Sequence, residues 1–101
     1  MKALITLFSI LHTIVSTLPA HTQRQEQVLL KEGKNTVEVY TAGDREDLTC
    51  VFTHLGVTVS QHTHHCFITT NPLDLPAPIG ILVVNNANHP IHYYVKVASV
   101  P

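Results

Sequence analysis

A small antiparallel β-sandwich or open β-barrel, all-β and closed by one disulfide, is the fold class this sequence predicts. Three observations carry that expectation. Apolar and polar residues alternate in runs such as "TVEVYT" (36–41) and "GVTVS" (56–60), the repeat of a strand with one buried face. Clusters of Gly, Pro, Asn and Asp interrupt the chain at short intervals, as turns between strands do. No stretch of ten residues shows the apolar spacing of an amphipathic helix, so a helix would have no stripe to bury.

The chain opens with a segment that is not expected to join the fold. Lys2 supplies a positive charge, "ALITLFSILHTIV" follows as an apolar run without an acid, and "STLPA" ends on a small residue. That is the pattern of a secretory leader cut after Ala20. The run is shorter than the roughly 20 residues that span a bilayer. Residues 1–20 therefore read as a signal peptide and 21–101 as a single small β domain, secreted and extracellular, with no membrane insertion after cleavage.

Within that domain "HTQRQEQ" is a polar lead-in and "VLLKE" the first short strand, turned by "GKN". "TVEVYT" follows with Val37 and Val39 on one face. "AGDRED" is a charged loop. "LTCVFTHL" places Leu48, Cys50 and Phe52 on one face and Val51 on the other. "GVTVS" alternates again, and "HHCFITT" leaves the histidine-rich turn. "NPLDLPAP" holds three prolines, which excludes it from the centre of a sheet. "IGILVV" is a continuous apolar strand, "NNANHP" a turn, and "IHYYVKVASV" the last and longest strand. Six or seven strands result.

The two cysteines both lie beyond residue 20. In an oxidising compartment an even pair is most simply one disulfide, Cys50–Cys66. Its loop stabilises by about 3 kcal/mol in the chain-entropy model, a large share for a domain with a modest core. Six basic and seven acidic residues give a formal net charge of −1. With no basic patch, nucleic acid is not an expected partner. No Asn-x-Ser/Thr sequon occurs. No Ser-His-Asp order, carboxylate pair or Gly-rich phosphate loop appears, so neither an enzyme nor a cofactor is expected.

The chain is rich in histidine, and "HTHHC" (62–66) is its densest stretch. On a strand His62 and His64 leave one face, and a hairpin would bring His54 towards them, an arrangement able to hold Zn or Cu. The competing reading is a hairpin end with exposed, unliganded histidines. It is favoured, because no carboxylate lies in the loop and Cys66 is taken by the disulfide. His21 would become the amino terminus, an end that can chelate Cu(II), and reads as a frayed polar terminus. Tyr93 and Tyr94 face opposite sides of their strand, one in the core and one exposed. The exposed ring, assigned to Tyr94, is a candidate anchor for a partner. The loop acids and base, Asp44, Arg45, Glu46 and Asp47, complete the candidate partner-binding set.

Three blocks resemble the myeloid-derived growth factor family of secreted β-sandwich proteins. They are "LKEGKNTVEVY", the strand Leu48-Thr49-Cys50-Val51-Phe52-Thr53, and the stretch from Cys66 to "IHYYVKVAS". The resemblance implies the Cys50–Cys66 pairing a second time. It also implies a growth-factor-like extracellular signalling protein that binds another extracellular protein or a receptor. The chain departs from the family in its shorter "SQHTHH" segment between the cysteines and in ending on "KVASVP" without an ER-retrieval-like tail.

Overall fold

The computed structural model describes residues 10–100. Among these, eight strands appear in the order β1 (Ile10–Leu18), β2 (Gln23–Leu30), β3 (Lys34–Tyr40), β4 (Leu48–His54), β5 (Val57–Thr63), β6 (Cys66–Thr69), β7 (Ala77–Asn85) and β8 (Ile91–Val100). They form two four-stranded antiparallel sheets, β1-β8-β3-β6 and β2-β7-β4-β5. This is the antiparallel β-sandwich the period-two runs predict.

The core is what those runs place inside. Val37 and Val39 of β3, Leu48, Cys50 and Phe52 of β4, Ile81 and Val83 of β7, and Tyr93 and Val95 of β8 are all buried. Each large apolar side chain removed from water contributes about 1.5–3 kcal/mol. The Cys50–Cys66 disulfide is formed, with Cα atoms 6.1 Å apart. Cys50 lies on β4 of one sheet and Cys66 on β6 of the other, so the bond staples sheet to sheet.

Two buried asparagines close the ends of the sandwich. Asn35 accepts the Lys31 N–H on Oδ1 at 3.0 Å and donates from Nδ2 to the Lys31 and Gly33 carbonyls. Asn85 accepts the Ala87 N–H and donates to the carbonyls of Leu18, Pro19 and His89. A buried amide is tolerable only when so paired.

The structure extends two expectations and corrects one. β2 starts at Gln23 inside the polar lead-in, pairing with β7 from Gln23↔Val84 to Leu30↔Ala77. Its inward Arg24 and Glu26 meet the Tyr93 hydroxyl instead of apolar neighbours, so apolar alternation could not reveal them. β5 runs on through His62 to Thr63, an edge strand that tolerates polar side chains on both faces. The correction concerns Pro78, which lies inside β7 and hence in a central strand. Pro78 pairs only with Leu29 of β2, because the β4 ladder ends at Thr53↔Gly80. A missing N–H is harmless where one side carries no ladder.

Strand β1 falls within the stretch read as a leader. Ile10–Leu18 pairs with β8, and Leu18 is buried in the core cluster. Lys2 and the start of the apolar run lie outside the described residues.

Candidate functional site: an aromatic row beside a clasped acidic loop

The outer face of the first sheet gathers side chains of one parity from β3, β6 and β8. Tyr40 stands opposite Tyr94, and Glu38 opposite both Lys96 and Phe67. The tyrosine rings stack with centroids 5.2 Å apart and planes 19° from parallel. Tyr94, half-buried, thus covers Tyr40, while Tyr93 points the other way and is fully buried. The His65 ring meets Tyr40 on its far side, 5.7 Å between centroids. Phe67 continues the apolar surface at 49% exposure.

His65 also ties this row to the acidic loop. Its Nε2 lies 2.9 Å from Glu38 Oε2 and its Nδ1 3.2 Å from Asp44 Oδ2. Lys96 Nζ stands 4.0 Å from the other Glu38 oxygen. The loop between β3 and β4 starts as a 3-10 turn at Ala42–Asp44, where Gly43 and Asp44 both adopt positive φ. Two further histidines hold its other half. His64 Nδ1–H donates to the Glu46 carbonyl at 2.8 Å, and His89 Nε2 lies 3.0 Å from Glu46 Oε1. The Asn86 N–H donates to the Asp47 carbonyl. Asp44, Arg45 and Asp47 are exposed, as expected of a solvated loop, yet the backbone beneath them is clasped from three sides.

The turn that presents these histidines is set by the disulfide. Cys66 is pinned to β4, so Thr63–Cys66 must reverse tightly between β5 and β6. His64 takes φ 67° and donates its N–H to the Leu48 carbonyl, while the His65 N–H donates to Thr63. A positive φ is uncommon for a residue with a side chain, and here it directs His64 and His65 apart, one to Glu46 and the other to the aromatic row.

The pKa of His65 is raised above its ordinary value, first by its hydrogen bond to Glu38, which outweighs the opposing effect of burial, and then by the nearby charges of Asp44 and Glu38. The folded value lies above the unfolded one, so this contribution is complete below about pH 6.5 and is lost as pH rises through the folded midpoint. Both partners are partly exposed, which keeps the stabilisation small. Glu38→Gln is expected to move the His65 midpoint down towards 6.5 in an NMR titration of the ring protons. An unmoved midpoint would mean that Glu38 does not set it.

The candidate metal ligands occupy three separate settings. His54 Nδ1 faces the Pro78 carbonyl at 3.3 Å. His62 lies edge-on to Phe52 and bonds Ser60 Oγ. His64 is engaged by Glu46. His54 and His62 sit at opposite ends of the β4–β5 pairing, His62 facing Cys50 and His54 facing Val57, about 13 Å apart along the strand. Among the described residues no group of three or more His, Cys, Asp or Glu could hold a metal ion.

Of the partner-binding candidates, the structure brings Asp44 and Tyr94 onto one surface through Tyr40 and His65. Those two, with Glu38 and Phe67, were not singled out from the sequence. Tyr40 was legible there, since it shares parity with Glu38 opposite the buried Val37 and Val39. The place of His65 was not, because it depends on which sheet each cysteine joins.

No family model matches this chain, and no curated protein does. Solved structures do share the fold. A mitogen derived from Yersinia pseudotuberculosis is similar over 92% of this chain and 87% of its own, with TM-score 0.65 and 11% identity. A periplasmic inhibitor of g-type lysozyme from Aeromonas hydrophila is similar over 91% and 86%, with TM-score 0.62 and 9% identity. The pre-peptidase C-terminal domain of a Bacillus anthracis collagenase is similar over 85% and 87%, with TM-score 0.59 and 14% identity. At such identities the likeness shows a shared β-sandwich and nothing finer.

Proposed function

We propose that this protein is an exported, non-enzymatic binding module that docks a protein partner on the outer face of β8-β3-β6. The observation that carries the reading is the continuous surface from Tyr94 through Tyr40 and His65 to Asp44. Stacked tyrosines offer large apolar area with polar tips, the composition of interface anchors. The clasped loop beside them is already ordered, so docking loses little conformational entropy. The disulfide supports export, since such bonds persist in oxidising compartments. The same sandwich serves proteins named as a mitogen and as an inhibitor of lysozyme, which supports a binding role for the fold. An extracellular signalling factor, as the growth-factor resemblance implies, is the finer form of the proposal.

The test is saturable binding of the secreted, labelled protein to intact cells, with crosslinking to recover the partner. Tyr94→Ala and the double change Asp44→Lys with Arg45→Glu are expected to weaken binding about tenfold or more, the scale of an interface anchor, while the far-ultraviolet circular dichroism stays that of the parent. Parental affinity in both variants would overturn this face as the docking surface.

A further inference from the structure

The residues that form β1 are the residues the sequence marks for removal. Leu18 ends β1 two positions before the expected cut after Ala20, and only Pro19–Thr22 connects β1 to β2. β1 pairs with β8 over nine positions, from Ile10↔Ser99 to Leu18↔Ile91. Cleavage there leaves β8 with the backbone groups that β1 had satisfied, along a strand of ten residues. An unpaired edge of that length is a template for another strand.

Two further features bear on what could take this position. Its floor is polar: Arg24 and Glu26 point inward from β2, where the Tyr93 hydroxyl donates to Glu26 and Arg24 Nη1 donates to that hydroxyl at 3.4 Å. Arg24 Nη2 reaches up to the β1 backbone, donating to the Thr17 carbonyl at 3.0 Å. Such a floor can be wetted when the strand above it is gone. The position is also incompletely filled. A groove of about 230 Å³, open to solvent, lies beside Ile14, lined by Gln27, Val28, Leu29, Lys31, Val97 and Ser99, and the Ser99 hydroxyl is buried without a hydrogen-bond partner.

We propose that, once β1 is removed, the β8 edge is a strand-accepting site for an extended segment of a partner polypeptide. That segment carries apolar residues at the Ile14 and Leu18 positions, a small polar one at the Ser16 position between them, next to the Tyr93 hydroxyl, and over Val28 and Val97 a residue bulkier than Ile14. This is strand addition to a sheet edge, and it rests on the export reading, not on the aromatic face. A second copy joined β8 to β8 does not fit. β2 lies beneath the position of β1, where Arg24 reaches the Thr17 carbonyl, so in such a pair each copy's β2 would run into the second sheet of the other. Only a segment standing clear of its own domain can enter.

The experiment takes the protein secreted by a eukaryotic cell line, reads its amino terminus by intact mass, and titrates it with a synthetic peptide of residues 10–20. A chain starting at His21 that binds this peptide supports the proposal, as does one that folds only when the peptide is added. The Ile14→Phe peptide is expected to bind about fivefold tighter by filling the groove, and the Leu18→Asp peptide at least tenfold weaker. A secreted chain that keeps residues 10–20 overturns the proposal together with cleavage, leaving the aromatic face untouched. A chain that starts at His21 yet ignores the peptide, or pairs with itself through β8, overturns the strand site and leaves export standing.

Discussion

Phe52→Ala is expected to lower stability by about 3–5 kcal/mol, the range for emptying a buried aromatic site. For a small domain this is a fall in Tm of roughly 15–30 °C. Phe52 has no exposed surface and lies on β4 between its two partners, facing Ile81 of β7 and Ser60 of β5. Its ring packs against His62 edge-on, with centroids 5.9 Å apart. The β4–β5 register shifts immediately after it. Phe67→Ala is the matched control. The same side chain is removed from an exposed position, and a loss below about 1 kcal/mol is expected there. Urea unfolding followed by circular dichroism measures both. Equal losses would mean that Phe52 does not sit at the centre of the core.

Removing the disulfide is the second large effect. The Cys50→Ala, Cys66→Ala pair is expected to lose about 3 kcal/mol from the loop it closes, with a sequence separation of 16. Alanine avoids placing unpaired hydroxyls in the core. Both sulfur-bearing residues are fully buried, so a thiol reductant should leave the native protein oxidised and act only once urea opens it. Labelling of free thiols with increasing urea reads this directly. Labelling in native buffer at the rate of an unfolded peptide would show that the two sheets part readily. The variant has a second expected signature at the surface. Without the staple the turn before β6 is no longer fixed, and the His65 titration midpoint should drift towards 6.5 as its grip on Glu38 and Asp44 loosens.

How far the sequence speaks for this molecule depends on the range of the interaction in question. Val37, Val39, Leu48, Cys50 and Phe52 were assigned to the correct face because alternation is a local property of a strand. The Cys50–Cys66 bond was legible from compartment and parity. What pairs with what was not. Nothing in "HTQRQEQ" announces that Arg24 and Glu26 point inward, since their partner, the Tyr93 hydroxyl, lies at the far end of the chain. Pro78 argued against a central strand, and the local rule failed because β4 ends before reaching it. The site divides the same way. Asp44 and Tyr94 stand out in the sequence separately, one for its charge and one for its ring. Their meeting depends on the register Tyr40↔Tyr94 and on the turn that points His65 at both Tyr40 and Asp44.

The sheet-to-sheet bond has a mechanical consequence. Tension applied at the two ends of the chain passes from Cys50 to Cys66 through sulfur, bypassing residues 51–65. Most of β4, all of β5 and the turn that carries His64 and His65 form a covalent ring that carries no load. Stretched to its limit, the chain would fall short of its full contour by roughly 50 Å, the reach of the sequestered residues at about 3.4 Å each less the span of the bridge. Shear would peel the strands outside the ring while leaving the ring itself closed. The acidic loop is anchored to that ring through the Glu46 contact of His64, so one flank of the proposed docking face is fastened to the part of the molecule that pulling does not reach.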